Sequence, residues 1–211
     1  MNYSAVIFDL DGVICSTDKY HYLAWKKIAD EIGVEFNEQI NNRLRGIGRT
    51  ESLEIILESY RGELSEENKK KYAKKKNAIY RQLLQQMLPE DLSPEVKNTL
   101  DKIRNRGVKL AIGSSSKNAK LILKQIGLDN YFDAVSDGNN ITNSKPDPEV
   151  FLKASEYLGI NPQSCLVVED AKAGLEAAKA ANMDCAAIGD AARYEIAAYK
   201  LNSFSDLLLY V

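Results

Sequence analysis

Short runs of apolar, β-prone residues recur along the chain and alternate with stretches whose apolar positions repeat at helical spacing. Residues 4–9 (SAVIFD), 108–114 (VKLAIGS), 132–137 (FDAVSD), 165–170 (CLVVED) and 185–189 (CAAIG) are the strand candidates. Their near-continuous apolar character suits strands covered on both faces, as in a parallel sheet. Helical patterns over 93–107, 117–127, 147–159 and 173–183 lie between them, and the first three end in glycine, a common helix stop. This alternation predicts a doubly wound, Rossmann-like α/β core built on a parallel sheet.

Residues 18–88 break the alternation. They carry helical patterns only, over 18–33, 50–60 and a long 65–88, and Pro89 and Pro94 mark the return to the sheet. The expected organisation is therefore a core of residues 1–16 and 90–211 with an all-helical domain, 17–89, inserted after the first strand. No internal repeat is present. The lysine-rich stretch 69–76 keeps a helical apolar stripe.

Composition narrows the classes without naming a function. A chain of 211 residues can bury one good core, or one core with a smaller appended domain. Its 45% hydrophobic and 27% charged content is that of an ordinary globular protein, and a net charge of −2 gives no reason to expect nucleic acid or an anionic membrane as partner. No apolar run approaches the ~20 residues that span a bilayer, and no basic-then-apolar leader pattern opens the chain. Cys15, Cys165 and Cys185 share no metal-type spacing and cannot all pair. Free thiols in a cytoplasmic protein are expected, and nothing calls for more than a monomer.

The polar residues of note cluster at strand ends, where open α/β sheets bind ligands. Asp9 and Asp11 follow the first strand, Ser114, Ser115 and Ser116 the second, and Glu169 and Asp170 the fourth; Lys145 lies in SKPDPE before a helix. Two aspartates one residue apart repel and raise each other's pKa. Alone, they fit a solvated strand end as well as a cation site. Hard oxygen donors without histidine or thiolate partners favour Mg²⁺, which would neutralise Asp9, Glu169 and Asp170. A cation among carboxylates, with a lysine and a serine beside it, suits a phosphoryl group. Asp9 would then be the attacking carboxylate and Asp11 the group that exchanges a proton with the substrate oxygen. The helix near Lys117 directs its N-terminus to the same place. A dinucleotide-binding module is disfavoured, because the first strand leads into DLDGV and not into a glycine-rich loop.

DLDGV with GSSSKN, SKPDP and VVED, in that order, resembles the haloacid dehalogenase superfamily, and the helical insert resembles its cap. YHYLAWKKIADEIG, LRGIGRTESLEIIL and AKKKNAIY resemble the caps of its sugar-phosphate mutases, which interconvert β-glucose 1-phosphate and glucose 6-phosphate through the 1,6-bisphosphate. That resemblance implies Asp9 as phosphorylated nucleophile and Asp11 as general acid/base. It implies Mg²⁺ bound by Asp9, Glu169, Asp170 and the Asp11 carbonyl, and the transferring phosphate held by Ser114 and Lys145. Arg49, Ser116, Lys117 and Asn118 match positions that hold the other phosphate, while Thr17, His21, Trp25, Arg45, Gly46, Ser52 and Lys76 match the cap side of the sugar site. Arg45 stands where lysine is expected, Gly48 where serine, Ser115 where alanine, and Ser16 where aspartate. None of these touches the expected nucleophile or metal ligands.

His21 shares a helix face with Trp25, Ile28 and Ile32 and falls at the end nearest the nucleophile loop. Lys70, Lys71, Lys74 and Lys75 fall on the outer side of the long helix, but Lys76 lies within the stripe of Tyr72, Ile79, Tyr80 and Leu83. It must snorkel out or meet an anion or hydroxyl group. Lys69 points the same way but, near the helix start, can reach water. Cys15 reads as packing. Two other functions fit the same core: a small-molecule phosphatase acting on a sugar phosphate or phosphoglycolate, and a non-catalytic sugar-phosphate-binding protein.

Overall fold

The computed structural model describes residues 3–211. The first strand, β1 (Ala5–Phe8), is followed by four helices, α1 (Asp18–Ile32), α2 (Glu38–Asn42), α3 (Arg49–Leu57) and α4 (Glu66–Leu84). The chain then alternates through α5 (Pro94–Asn105), β2 (Lys109–Gly113), α6 (Ala119–Gln125), β3 (Ala134–Ser136), α7 (Glu149–Leu158), β4 (Cys165–Glu169), α8 (Lys172–Ala180), β5 (Asp184–Ala187) and β6 (Tyr199–Lys200). The sheet is parallel throughout and ordered β3-β2-β1-β4-β5-β6. β1 is central, with Phe8 opposite Ile112 on one side and Val168 on the other.

Alternation along the strands divides the core into two layers. Val6, Phe8, Leu110, Ile112 and Val168 point to the face covered by Leu100 and Ile103 of α5 and by Phe204 and Leu207 of a C-terminal 3₁₀ turn. Ala5, Ile7, Ala111 and Val167 point to the face covered by Phe151 of α7 and Leu175 of α8. Both layers are dry, which is why the strands lack polar alternation.

A third cluster unites Trp25 and Ile28 of α1 with Leu53 and Ile56 of α3. The far end of α4 does not belong to it, since Tyr80, Leu84 and Met87 pack into the first sheet layer. The C-terminal end of the long helix thus joins the same apolar cluster as the first sheet layer.

Five strands and the main helices were legible in the pattern, and Gly107, Gly127 and Gly159 end α5, α6 and α7 with φ of +80°, +77° and +66°. The bounds differ in detail, with α3 ending at Leu57 and α8 at Ala180, each three residues short of the expected pattern. The 65–88 pattern stops being helical at Leu84, where the chain turns towards Pro89. The 117–127 helix begins at Ala119 because Lys117 and Asn118 form a turn, with the Asn118 N–H donating to Ser116 Oγ at 3.2 Å. α2 and β6, five and two residues long, carry too few positions for periodicity to show.

Leu100 is fully buried at the centre of the first layer. Leu100→Ala is expected to lower unfolding free energy by about 2–5 kcal/mol in chemical denaturation; a change below about 1 kcal/mol would contradict this packing.

Candidate active site

The C-terminal edge of the sheet carries the first group of side chains. The Asp9 N–H donates to the Val168 carbonyl at 3.0 Å, extending the ladder one residue past β1 and setting the Asp9 carboxylate at the sheet's edge. Gly12 follows with φ +90°, and a Cβ there would lie 2.1 Å from Asp170 Oδ2. Only glycine both takes that conformation and leaves room for the carboxylate. At the end of β4, the N–H groups of Asp170 and Ala171 donate to Glu169 Oε2 at 3.0 and 3.1 Å. Gly174 makes space behind it, since a Cβ would fall 1.9 Å from the Glu169 carboxylate.

Lys145, 2% exposed, places its ammonium between Asp9 Oδ1 and Glu169 Oε1 and over the Phe151 ring, 4.8 Å from its centroid. Oxygens of Asp9, Glu169 and Asp170 converge within 4.8 Å of one another. One ammonium faces three acids. Burial opposes the Lys145 charge, but Asp9 and Glu169 outweigh it and hold its pKa above that of ordinary lysine. Burial, then Asp9 and Glu169, push Asp170 up to about 8, and burial also raises Glu169. These acids are short of positive charge. An all-oxygen donor set in that state fits a hard divalent cation.

Asp11 points elsewhere. The Thr17 N–H and Oγ1–H donate to Asp11 Oδ1 and Oδ2, both at 2.7 Å, and Tyr80 donates to Thr17 Oγ1 at 2.8 Å. Burial lifts the Asp11 pKa to about 6 despite the two Thr17 bonds, which lower it. The carboxylate therefore lies outside the acidic cluster. Across from it, Lys76 Nζ lies 2.8 Å from His21 Nδ1 and over the rings of Trp25 and Tyr80. Burial, then Lys76 and Arg49, hold His21 well below its usual pKa; burial, then Arg49, lowers Lys76. Either nitrogen can carry the hydrogen of this contact, according to the ring's tautomer, and the second ring nitrogen is Nε2. That atom faces Asp11 Oδ2 at 3.6 Å.

These groups surround a cavity of about 300 Å³ between the sheet edge and α1, α3 and α4. The model of the haloacid dehalogenase-like hydrolases matches residues 6–188. The chain belongs to this family. It is 42% identical over 187 residues to a β-phosphoglucomutase of Bacillus subtilis, covering 88% of this chain and 83% of that one. It is 33% identical over 183 residues to a phosphorylated carbohydrates phosphatase of Thermotoga maritima, covering 85% and 82%. A crystal structure of β-phosphoglucomutase from Clostridium difficile superposes with a TM-score of 0.91 at 37% identity, covering 97% of this chain and 93% of that one.

Most of the residues expected from the family motifs meet at the cavity. Asp9, Asp11, His21, Trp25, Arg45, Gly46, Arg49, Ser52, Lys76, Ser114, Ser116, Lys117, Asn118 and Asp170 line it. Lys145 and Glu169 lie beneath the lining, against Asp9. Thr17 is fully buried and reaches the cavity only through its partners Asp11 and Tyr80. Arg45 lines the wall, but its guanidinium pairs with Asp18 and, at 3.1 Å, with Asp190, so much of its charge is already engaged. Lys70, Lys71, Lys74 and Lys75 are exposed, Lys76 is 2% exposed, and Lys69 pairs with Glu54 and Glu66 at 2.9 and 3.0 Å. All three cysteines are free and buried, and burial raises the Cys15 thiol.

Sequence reasoning passed over Asn77, Asp18 and Ser144, which also line the cavity. Asn77 follows Lys76 directly, and an uncharged side chain on a lysine-rich helix gives no signal of its own.

A carboxyl whose pKa rises on folding makes the folded state bind more protons, so its contribution to stability is lost as pH rises. For Asp170 that window runs from about 4 to about 8. In chelator-treated protein, wild type is expected to lose stability relative to Asp170→Asn across this range in thermal denaturation, and a divalent cation is expected to remove the loss. A relative gain with rising pH would contradict the charge imbalance.

Proposed function

We propose that the chain interconverts β-glucose 1-phosphate and glucose 6-phosphate through β-glucose 1,6-bisphosphate, as a β-phosphoglucomutase. One observation carries this: two separate sets of side chains suited to anions meet at a single cavity. Asp9 and Ser114 line it with Lys145 beneath, against Asp9, and Arg49, Ser116, Lys117 and Asn118 line it as well, Arg49 and Asn118 meeting at Asn77. A substrate that is phosphorylated at both ends in mid-reaction needs two such places. The 42% identity to the Bacillus subtilis enzyme supports the same assignment.

In this account Lys145 engages Asp9 Oδ1, leaving Oδ2 to attack phosphorus. The bond from phosphorus to the leaving sugar oxygen breaks, and Asp11 supplies that oxygen with a proton. In the return step Asp11 takes the proton of the attacking sugar hydroxyl as that oxygen accepts the phosphoryl group from Asp9. A carboxyl of pKa about 6 exchanges protons near neutrality, and Thr17 holds it in one orientation. Ser114, 3% exposed, and Lys145 bind the transferring oxygens. Mg²⁺, held by Asp9, Glu169, Asp170 and the Asp11 carbonyl, would offset the phosphoryl charge.

Residues 17–89 act as a cap over the core of 1–16 and 90–211, closing about hinges near 15–18 and 87–91 to keep water from the aspartyl-phosphate. His21, Trp25, Gly46, Ser52 and Lys76 bind the sugar from the cap side. No helix among the described residues is long and apolar enough to cross a membrane. Three buried thiols suit a reducing compartment, so the proposal extends to a cytoplasmic enzyme.

A sugar-phosphate phosphatase has support in the 33% identity to the Thermotoga maritima phosphatase. It would use the same core, with water accepting the phosphoryl group, but has no need of His21, Arg49 and Lys76 together. With β-glucose 1-phosphate and a trace of bisphosphate, glucose 6-phosphate is expected to form faster than inorganic phosphate; the reverse order favours the phosphatase. Asp9→Asn is expected to lower turnover about 10⁴-fold or more while leaving the fold intact by circular dichroism; near-normal turnover would refute Asp9 as nucleophile.

A further inference from the structure

Asn77 occupies a junction that neither the nucleophile nor the sugar site explains. Its Oδ1 accepts from Arg49 Nη2 at 2.9 Å and from Asn118 Nδ2 at 2.8 Å. The Asn118 carboxamide is oriented in turn by Arg81 Nη1, which donates to Asn118 Oδ1 at 3.0 Å. One neutral oxygen on α4 thus draws together a guanidinium from α3 and an amide at the start of α6, both facing the cavity. Asn118 is 3% exposed, and Arg49 is half-buried with no carboxylate partner among the described residues.

We propose that Asn77 is a positioning residue that assembles the second phosphate subsite, joining Arg49 to Asn118 through a single uncharged acceptor. This inference rests on the mutase function proposed above. The lack of charge is the decisive property. A carboxylate at this position would orient the same two donors more strongly, yet it would neutralise Arg49 and repel a phosphate dianion. A carboxamide orients them and leaves the guanidinium's full charge for the ligand. The subsite keeps its shape between the departure of one phosphate and the arrival of another, as a bisphosphate that binds in either direction requires.

Two substitutions separate this role from simple cross-linking. Asn77→Asp is nearly isosteric and keeps both hydrogen bonds, so a purely structural residue would tolerate it. It is expected to retain or raise thermal stability, yet to raise KM for β-glucose 1-phosphate by at least about tenfold, and with it the bisphosphate needed to prime turnover. Asn77→Ala removes the junction without adding charge and is expected to raise KM less. Titration of the isotope-labelled protein with inorganic phosphate, followed at the Lys117 and Asn118 amides, gives a readout that needs no turnover. Asn77→Asp is expected to weaken binding there about tenfold. A KM and a phosphate affinity both within about twofold of wild type in Asn77→Asp would overturn the inference. Absence of wild-type turnover would instead strike the mutase assignment, leaving the phosphate titration to decide the role of Asn77.

Discussion

A single buried ammonium set against three carboxylates governs the rest of this structure. Lys145 pairs with Asp9 and Glu169, and Asp170 is left with a pKa raised to about 8 by burial and by its neighbours. Burying acids in this ratio is unfavourable unless further positive charge arrives. The backbone accommodates the cluster at two points where no side chain fits, Gly12 against Asp170 and Gly174 against Glu169. Local sequence here follows from electrostatics, because the acids must approach closely and the chain must make room for them.

The same shortage of charge separates two carboxylates of the DLDGV segment that look equivalent in sequence. Asp9 is drawn to Lys145, whereas Asp11 is turned towards Thr17 and sits under the α1 and α4 side chains. Environment therefore divides the labour. One oxygen of Asp9 stays free of Lys145, and Asp11 acquires a pKa near neutrality. The Lys76–His21 contact continues this arrangement, placing Nε2 of the ring towards Asp11.

Much of this was legible in the chain, because its signals are local or lie at strand ends. Near-continuous apolar runs marked five strands, and the motif residues that follow them meet at one sheet edge. Lys76 stood out because a lysine in an apolar stripe has no neutral explanation, and it is buried. Asn77 was illegible for the converse reason: its importance lies in partners from α3 and α6 that no spacing on α4 reveals. Arg45 was expected to serve the substrate and lines the cavity, but its partners there, Asp18 of α1 and Asp190 after β5, lie far from it in sequence and left no signal. α2 and β6 are too short to leave a period.

The most direct test is a crystal structure grown with Mg²⁺ and beryllofluoride, a mimic of the phosphoryl group. The charge balance described here requires beryllofluoride bonded to Asp9, Lys145 contacting its fluorine, and the cation seated among Asp9, Glu169 and Asp170. Asp9 unmodified, with no cation among the three acids and Lys145 still their sole partner, would contradict it.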